Sequence, residues 1–168
     1  VEFGLRKLAW VGSAPRDRSV VCIRGDLPYK TVAAVRDDKR QRFMSSGGPM
    51  TSGSQFCALI KEYIKLNMQD ITYTNMADAI LAVERKEVDG IAGTYSSFKP
   101  LIESGMLRPL LRGRNASPEI ETLPVDEDLA ADKTGKKIMA MRSATDKVGR
   151  PYVAPPGTSK EAMSILRN

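Results

Sequence analysis

The sequence predicts an α/β fold: a mostly parallel sheet of about five strands flanked by helices. Three features of the 168-residue chain point there. Short alternating or β-branched apolar runs recur between stretches with apolar residues three and four apart. Most boundaries between them carry a cap or turn residue. One strand-to-helix connection, residues 43–54, is dominated by Ser, Gly, Pro and Thr.

Residues 1–18 form an approach segment with apolar Phe3, Leu5, Leu8 and Trp10 but no assignable element. Residues 19–24, Ser-Val-Val-Cys-Ile-Arg, read as a strand. A turn through Asp26-Leu-Pro follows, then Thr31 as N-cap of a short helix over 32–38. Residues 41–44 make a second strand, which enters the Gly/Ser loop. Beyond the loop, Phe56, Leu59, Ile60, Tyr63 and Ile64 mark a helix over 55–66, with Ser52 or Ser54 as its N-cap. Residues 70–74 alternate like a strand, and Asn75 caps a helix over 76–86. A short strand over 88–93, a turn over 94–97, a helix over 98–104 closed by Gly105, and a strand over 107–111 complete the lobe, taken as 19–123. The remainder, 124–168, reads as a C-terminal helical segment packing on that lobe. It has a short acidic helix within 124–131, a helix over 133–148, a strand and rigid turn over 151–158, and a last helix over 160–168 capped by Thr158 or Ser159. That helix has no stop signal and reads as truncated. The chain opens at Val1 rather than Met, so removal of an N-terminal segment is expected.

Composition excludes several function classes. There is no His, which removes the usual general base, zinc ligand and hydrolase triad together. Cys22 and Cys57 lie far apart on apolar segments and read as small buried hydrophobes. No cofactor motif is present: the Gly/Ser loop lacks the Gly-Lys-Ser/Thr of a phosphate-binding P-loop and does not spell Gly-x-Gly-x-x-Gly. The net charge of +6 is spread along the chain, and aromatics are few and dispersed, so a nucleic-acid partner is not expected.

Ligands of open α/β sheets bind beyond the carboxyl ends of the strands. Right-handed crossovers would bring the loops at 45–54, 74–77 and 93–97 to one edge, each opening a helix. Small residues let backbone amides converge, and a helix N-terminus carries partial positive charge. The three loops therefore read as an anion-binding crevice, the alternative being ordinary strand-to-helix turns that hold water.

The series Ser45-Ser-Gly-Gly-Pro-Met-Thr-Ser-Gly53, Ala82-Val-Glu-Arg-Lys-Glu-Val-Asp-Gly90, Tyr95 to Leu111 and Tyr152-Val-Ala-Pro-Pro-Gly-Thr158 resembles the tripartite tricarboxylate transporter receptors, Bug-type periplasmic solute-binding proteins. Asp26-Leu-Pro-Tyr-Lys-Thr31 is similar to that family's strand-to-helix turn. The resemblance runs in order from about residue 11 to the end and corresponds mainly to the second lobe of a type II periplasmic-binding-protein-like fold. It implies a non-enzymatic receptor in the periplasm, capturing a small organic carboxylate for membrane transporter subunits. It also implies a missing first lobe, without which the isolated half binds weakly and exposes apolar surface that favours self-association. The ligand-binding positions it implies are Ser45, Ser46, Gly47, Gly48, Thr51, Ser52 and Ser54 in the loop, Asn75 and Met76 at the next helix start, and Thr94, Tyr95 and Ser96 after the following strand. Tyr95 reads equally as a contact for the ligand or closing lobe and as a plain surface aromatic. The second function considered is the effector-binding domain of a transcriptional regulator, which reuses the same fold.

Overall fold

A computed structural model describes residues 7–14 and 18–167. The part of the approach segment at 1–6 and 15–17, and Asn168, lie outside the described residues. Five strands form the main sheet: β2 (Ser19–Arg24), β3 (Arg42–Ser46), β4 (Met68–Thr72), β5 (Gly90–Thr94) and β6 (Leu107–Arg112), in the order β4-β3-β5-β2-β6. A separate antiparallel ribbon pairs β1 (Ala9–Ala14) with β7 (Arg150–Ala154). Helices α1 (Val32–Asp37), α2 (Ser52–Leu59), α3 (Met76–Glu84), α4 (Tyr95–Glu103), α5 (Asp126–Leu129), α6 (Lys133–Val148) and α7 (Lys160–Arg167) complete the chain.

The strand number is as expected, but the sheet is mixed rather than mostly parallel. β3 runs parallel to β4 and β5, whereas β2 is antiparallel to both of its neighbours, β5 and β6. The reversal also divides the strand-to-helix connections between the two ends of the sheet. The loops after β3, β4 and β5 share one end, while the turn after β2 exits at the opposite end.

Val20, Val21, Cys22 and Ile23 are all fully buried, as befits a strand covered on both faces. Alternate residues serve alternate layers. Val21 and Ile23 join Met44, Phe56, Ile60 and Met139 beneath α1, α2 and α6. Val20 and Cys22 join Ala79, Val83, Ile91 and Phe98 beneath α3 and α4. Burial raises the thiol pKa of both Cys22 and Cys57.

Several boundaries move. The cradle helix starts at Ser52, and its last turn widens into a π-helical turn over Ile60–Ile64, which ends at Lys65 with φ of 60°. β4 begins at Met68 because that buried residue pairs with Arg42, while Tyr73 has already left the strand after donating its amide to the Ser46 carbonyl at 2.9 Å. Residues 95–97, expected as a turn, are the first turn of α4.

Polar groups tie the ends of the sheet. At the end away from the cradle, buried Arg42 bonds Asp38 at 2.7 Å and lies over the Tyr29 ring at 4.4 Å, and the Tyr29 hydroxyl also donates to Asp38. At the cradle end, fully buried Asp126 accepts from Arg142 at 2.9 Å, yet desolvation still pushes its pKa up.

The Tyr29 hydroxyl, the Arg40 amide and Arg42 hold Asp38 down to a pKa of about 2, from an ordinary 3.8. A folded value below the unfolded one gives a contribution present above the unfolded value and lost as pH falls through the folded one. Denaturant titrations at pH 6, 4 and 2.5 should therefore show Asp38→Asn losing less stability than the parent chain over that window. Identical acid limbs would remove Asp38 as a contributor.

Candidate functional site

The cradle is formed where three connections meet at the carboxyl ends of β3, β4 and β5. Two of their mutual approaches are between backbone groups. A Cβ on Gly47 would lie 2.9 Å from the Met76 amide nitrogen, so the first loop rests directly on the start of α3. A Cβ on Gly53 would lie 2.3 Å from the Ala92 carbonyl oxygen, so α2 begins against the end of β5. The Met76 Cε comes within 3.2 Å of where a Cβ on Gly93 would be, which closes the triangle. At Gly47 and Gly53, where the neighbour is backbone, only glycine permits the approach.

Each helix start is then finished locally. Thr51, not Ser52 or Ser54, caps α2: its Oγ1 accepts from the Ser54 amide at 3.3 Å and donates to the Gly48 carbonyl at 2.9 Å. Asn75 caps α3 as expected, accepting from the Asp78 amide at 2.9 Å, and its Nδ2 donates to the Asp78 carboxylate. Thr94 offers α4 no side-chain cap, and the Tyr95 amide donates to the Arg18 carbonyl at 2.8 Å. The amides of Ser52, Gly53, Met76, Ala77, Ser96 and Ser97 stand in first turns, where no carbonyl of their own helix is in reach.

The expected positions divide by what their side chains do. Gly47, Gly48, Thr51, Ser52 and Ser54 line the first loop, Asn75 and Met76 the second, and Thr94 and Ser96 the third. Ser45 and Ser46 lie beneath it, both fully buried. Ser45 Oγ is within bonding reach of the Ala79 carbonyl at 3.0 Å and the Gly90 carbonyl at 3.3 Å. Ser46 Oγ donates to Asp70 at 2.9 Å. Their hydroxyl protons serve the sheet, which leaves backbone amides and the rim hydroxyls to face a ligand. Tyr95 is 6% exposed and packs with Val20, Ile91 and Phe98, so its ring is a core group rather than a rim aromatic. Burial, the leading cause, raises its pKa.

Asp70 was not among the expected residues. Alternation of 70–74 marks a strand but does not reveal that Met44 pairs with Asp70 and Ser46 with Thr72, which puts the Asp70 carboxylate under the loop. No Lys or Arg occurs within 43–60, 67–84 or 87–98. Three helix ends, each worth roughly half an elementary charge, therefore contribute positive potential at the crevice. Among the described residues no group of three or more His, Cys, Asp or Glu could hold a metal ion, and no helix is long and apolar enough to cross a membrane.

Gly53→Ala should cost about 1–3 kcal/mol, because the Ala92 carbonyl cannot retreat without moving β5. Thr51→Ala should cost about 1 kcal/mol through the lost cap. Urea denaturation measures both, and a neutral Gly53→Ala would show that the seat of α2 yields.

No family model matches the sequence, and no curated protein matches it. Solved structures do share the fold. A ligand-free TctC solute-binding protein from Polaromonas is 15% identical with a TM-score of 0.67, the match covering 99% of this chain and 55% of that one. MatC from Rhodopseudomonas palustris with bound malate is 14% identical at a TM-score of 0.62, covering 95% and 52%. Rpa4515 from R. palustris with adipate is 15% identical at 0.63, covering 95% and 65%. The resemblance carried by the loop sequences thus agrees with the structures. The chain has the fold of TctC-type solute-binding proteins and spans about half the length of the first of them.

Proposed function

We propose that the chain is the second, ligand-binding lobe of a solute-binding receptor that captures a small organic carboxylate outside the cytoplasm, in the periplasm, for a tripartite tricarboxylate-type transporter. The observation that carries this reading is the convergence of three helix N-termini on one backbone-walled crevice. The fold it shares with proteins holding malate and adipate supports the same ligand class. The Polaromonas structure is a solute-binding protein, which favours a receptor over the effector domain of a regulator.

A carboxylate in the crevice would accept from the amides at the starts of α2, α3 and α4, with Gly47 and Gly48 allowing close approach. The rim hydroxyls of Ser52, Ser54 and Ser96 would add donors. The hydroxyl–carboxylate pair of Ser46 and Asp70 lies beneath the loop with Ser46 fully buried, and the task the arrangement suits is binding and release without chemistry. Selectivity would then rest on the distance between a ligand's polar groups and on whatever closes the crevice from above.

Closure would come from the other half of the receptor. The β1–β7 ribbon and α7 present Trp10, Tyr152, Val153, Ile165 and Leu166, all about half or more exposed. Beside them lies an open hollow of about 550 Å³ lined by Val11, Tyr152, Val153, Pro155 and Leu166. In this reading the first lobe covers that face, and without it copies of the chain associate through it.

Calorimetric titration of malate and adipate into the 168-residue chain tests the proposal. A half-site lacks the contacts of the closing lobe, so Kd should be no tighter than about 0.1–1 mM. Gly47→Val, which drives a side chain into the Met76 backbone, should abolish even that. Sub-micromolar binding to a monomer would mean that one lobe holds the whole site. Weak binding that Gly47→Val leaves unchanged would place the ligand elsewhere.

A further inference from the structure

We propose that Arg142 is a positioning residue that braces the cradle helix α2 from the C-terminal helix α6. Its guanidinium carbon lies 4.0 Å from the centroid of the Phe56 ring, and Phe56 is the fully buried residue by which α2 meets the core. The same guanidinium donates to Asp126 at 2.9 Å, Asp146 at 3.3 Å, Ser19 Oγ at 3.1 Å and Ser143 Oγ at 3.2 Å. Ser19 in turn donates to Asp146 at 2.9 Å and, through its carbonyl, accepts the Gly113 amide at 2.8 Å. Gly113 leaves the space this requires, since a Cβ there would lie 2.6 Å from an Arg142 nitrogen.

The location gives the contact its meaning. Ser19 opens β2 just after the ribbon strand β1 ends at Ala14, and Asp146 lies in the last turn of α6 just before β7 begins at Arg150. Both ribbon strands therefore join the body beside the Arg142 cluster, and the cluster's apolar side is a ring of the cradle helix. A planar guanidinium can stack on that ring and bond carboxylates in its own plane at once, which an ammonium cannot. Arg142 thus links the attachment of the ribbon to the seat of α2. The ligand-related consequence rests on the reading of α2 as part of the binding crevice; the brace itself does not.

Hydrogen exchange followed by mass spectrometry on the whole chain tests the brace. In Arg142→Lys the α2 amides should exchange about tenfold faster, the loss expected of one desolvated cation–π contact, while β3 and β4 keep their protection. Phe56→Leu, which leaves the ion pairs in place, should release the same amides and serves if Arg142→Lys fails to fold. The double variant should exchange no faster than either single one. A uniform rise across the sheet, additive single effects or unchanged α2 protection would each overturn the proposal. Malate titration on the same variants separates the two ideas. Released α2 amides with unchanged malate affinity support the brace and remove α2 from the ligand site, and a parallel fall in affinity supports both.

Discussion

The reversed strand β2 is the constraint on which the rest of the lobe depends. It supplies the hydrogen bonds that hold β5 on one side and β6 on the other, so β6 reaches the parallel trio only through it. Its four central side chains are fully buried and feed both layers of the core. Because it runs backwards, its first residue, Ser19, lies at the end of the sheet where β3, β4 and β5 finish. A strand starting at the crevice edge brings its entry segment there too, which is how the Arg18 carbonyl comes to receive the Tyr95 amide. One inverted strand thus supplies the interior of the lobe and a wall of its mouth.

The crevice draws its character from what the side chains do not do. Loop hydroxyls that would otherwise face a ligand are consumed in fixing the loop: Thr51 on Gly48, Ser46 on Asp70, Ser45 on carbonyls of neighbouring elements. The result is a stiff set of amides at fixed separations, on loops that carry no Lys or Arg of their own. Preorganised dipoles of this kind cost little ordering entropy on binding.

Local features of this fold were legible in the sequence, and long-range ones were not. Thr31 and Asn75 announce their helices because a cap acts over three residues. The helix over 133–148 follows from its own periodicity and agrees with Lys133–Val148. Strand direction leaves no such mark: Ser-Val-Val-Cys-Ile reads the same whichever way it threads the sheet. β1 was missed because Ala-Trp-Val-Gly-Ser-Ala has a weak pattern and pairs with residues near the other end of the chain. The family resemblance offered Tyr95 as a contact for ligand or closing lobe, with a plain surface aromatic as the equal alternative, and the packing of α4 shows it turned inward. The Ser19–Asp146 bond spans 127 positions and belongs to the same class of invisible contact.

The two cysteines, noted above only as buried residues with raised thiol pKa values, mark two different depths of the lobe. Cys22 lies on β2 at the centre of the sheet, and Cys57 on the inner face of α2. A thiol reacts as thiolate and only when reached by solvent, so neither meets an alkylating reagent in the closed lobe. Cys57 becomes reachable when α2 lifts, whereas Cys22 waits for the strands to part. The natural sequence therefore carries two built-in clocks, one for loosening of the helix and one for unfolding of the sheet, with no label to introduce.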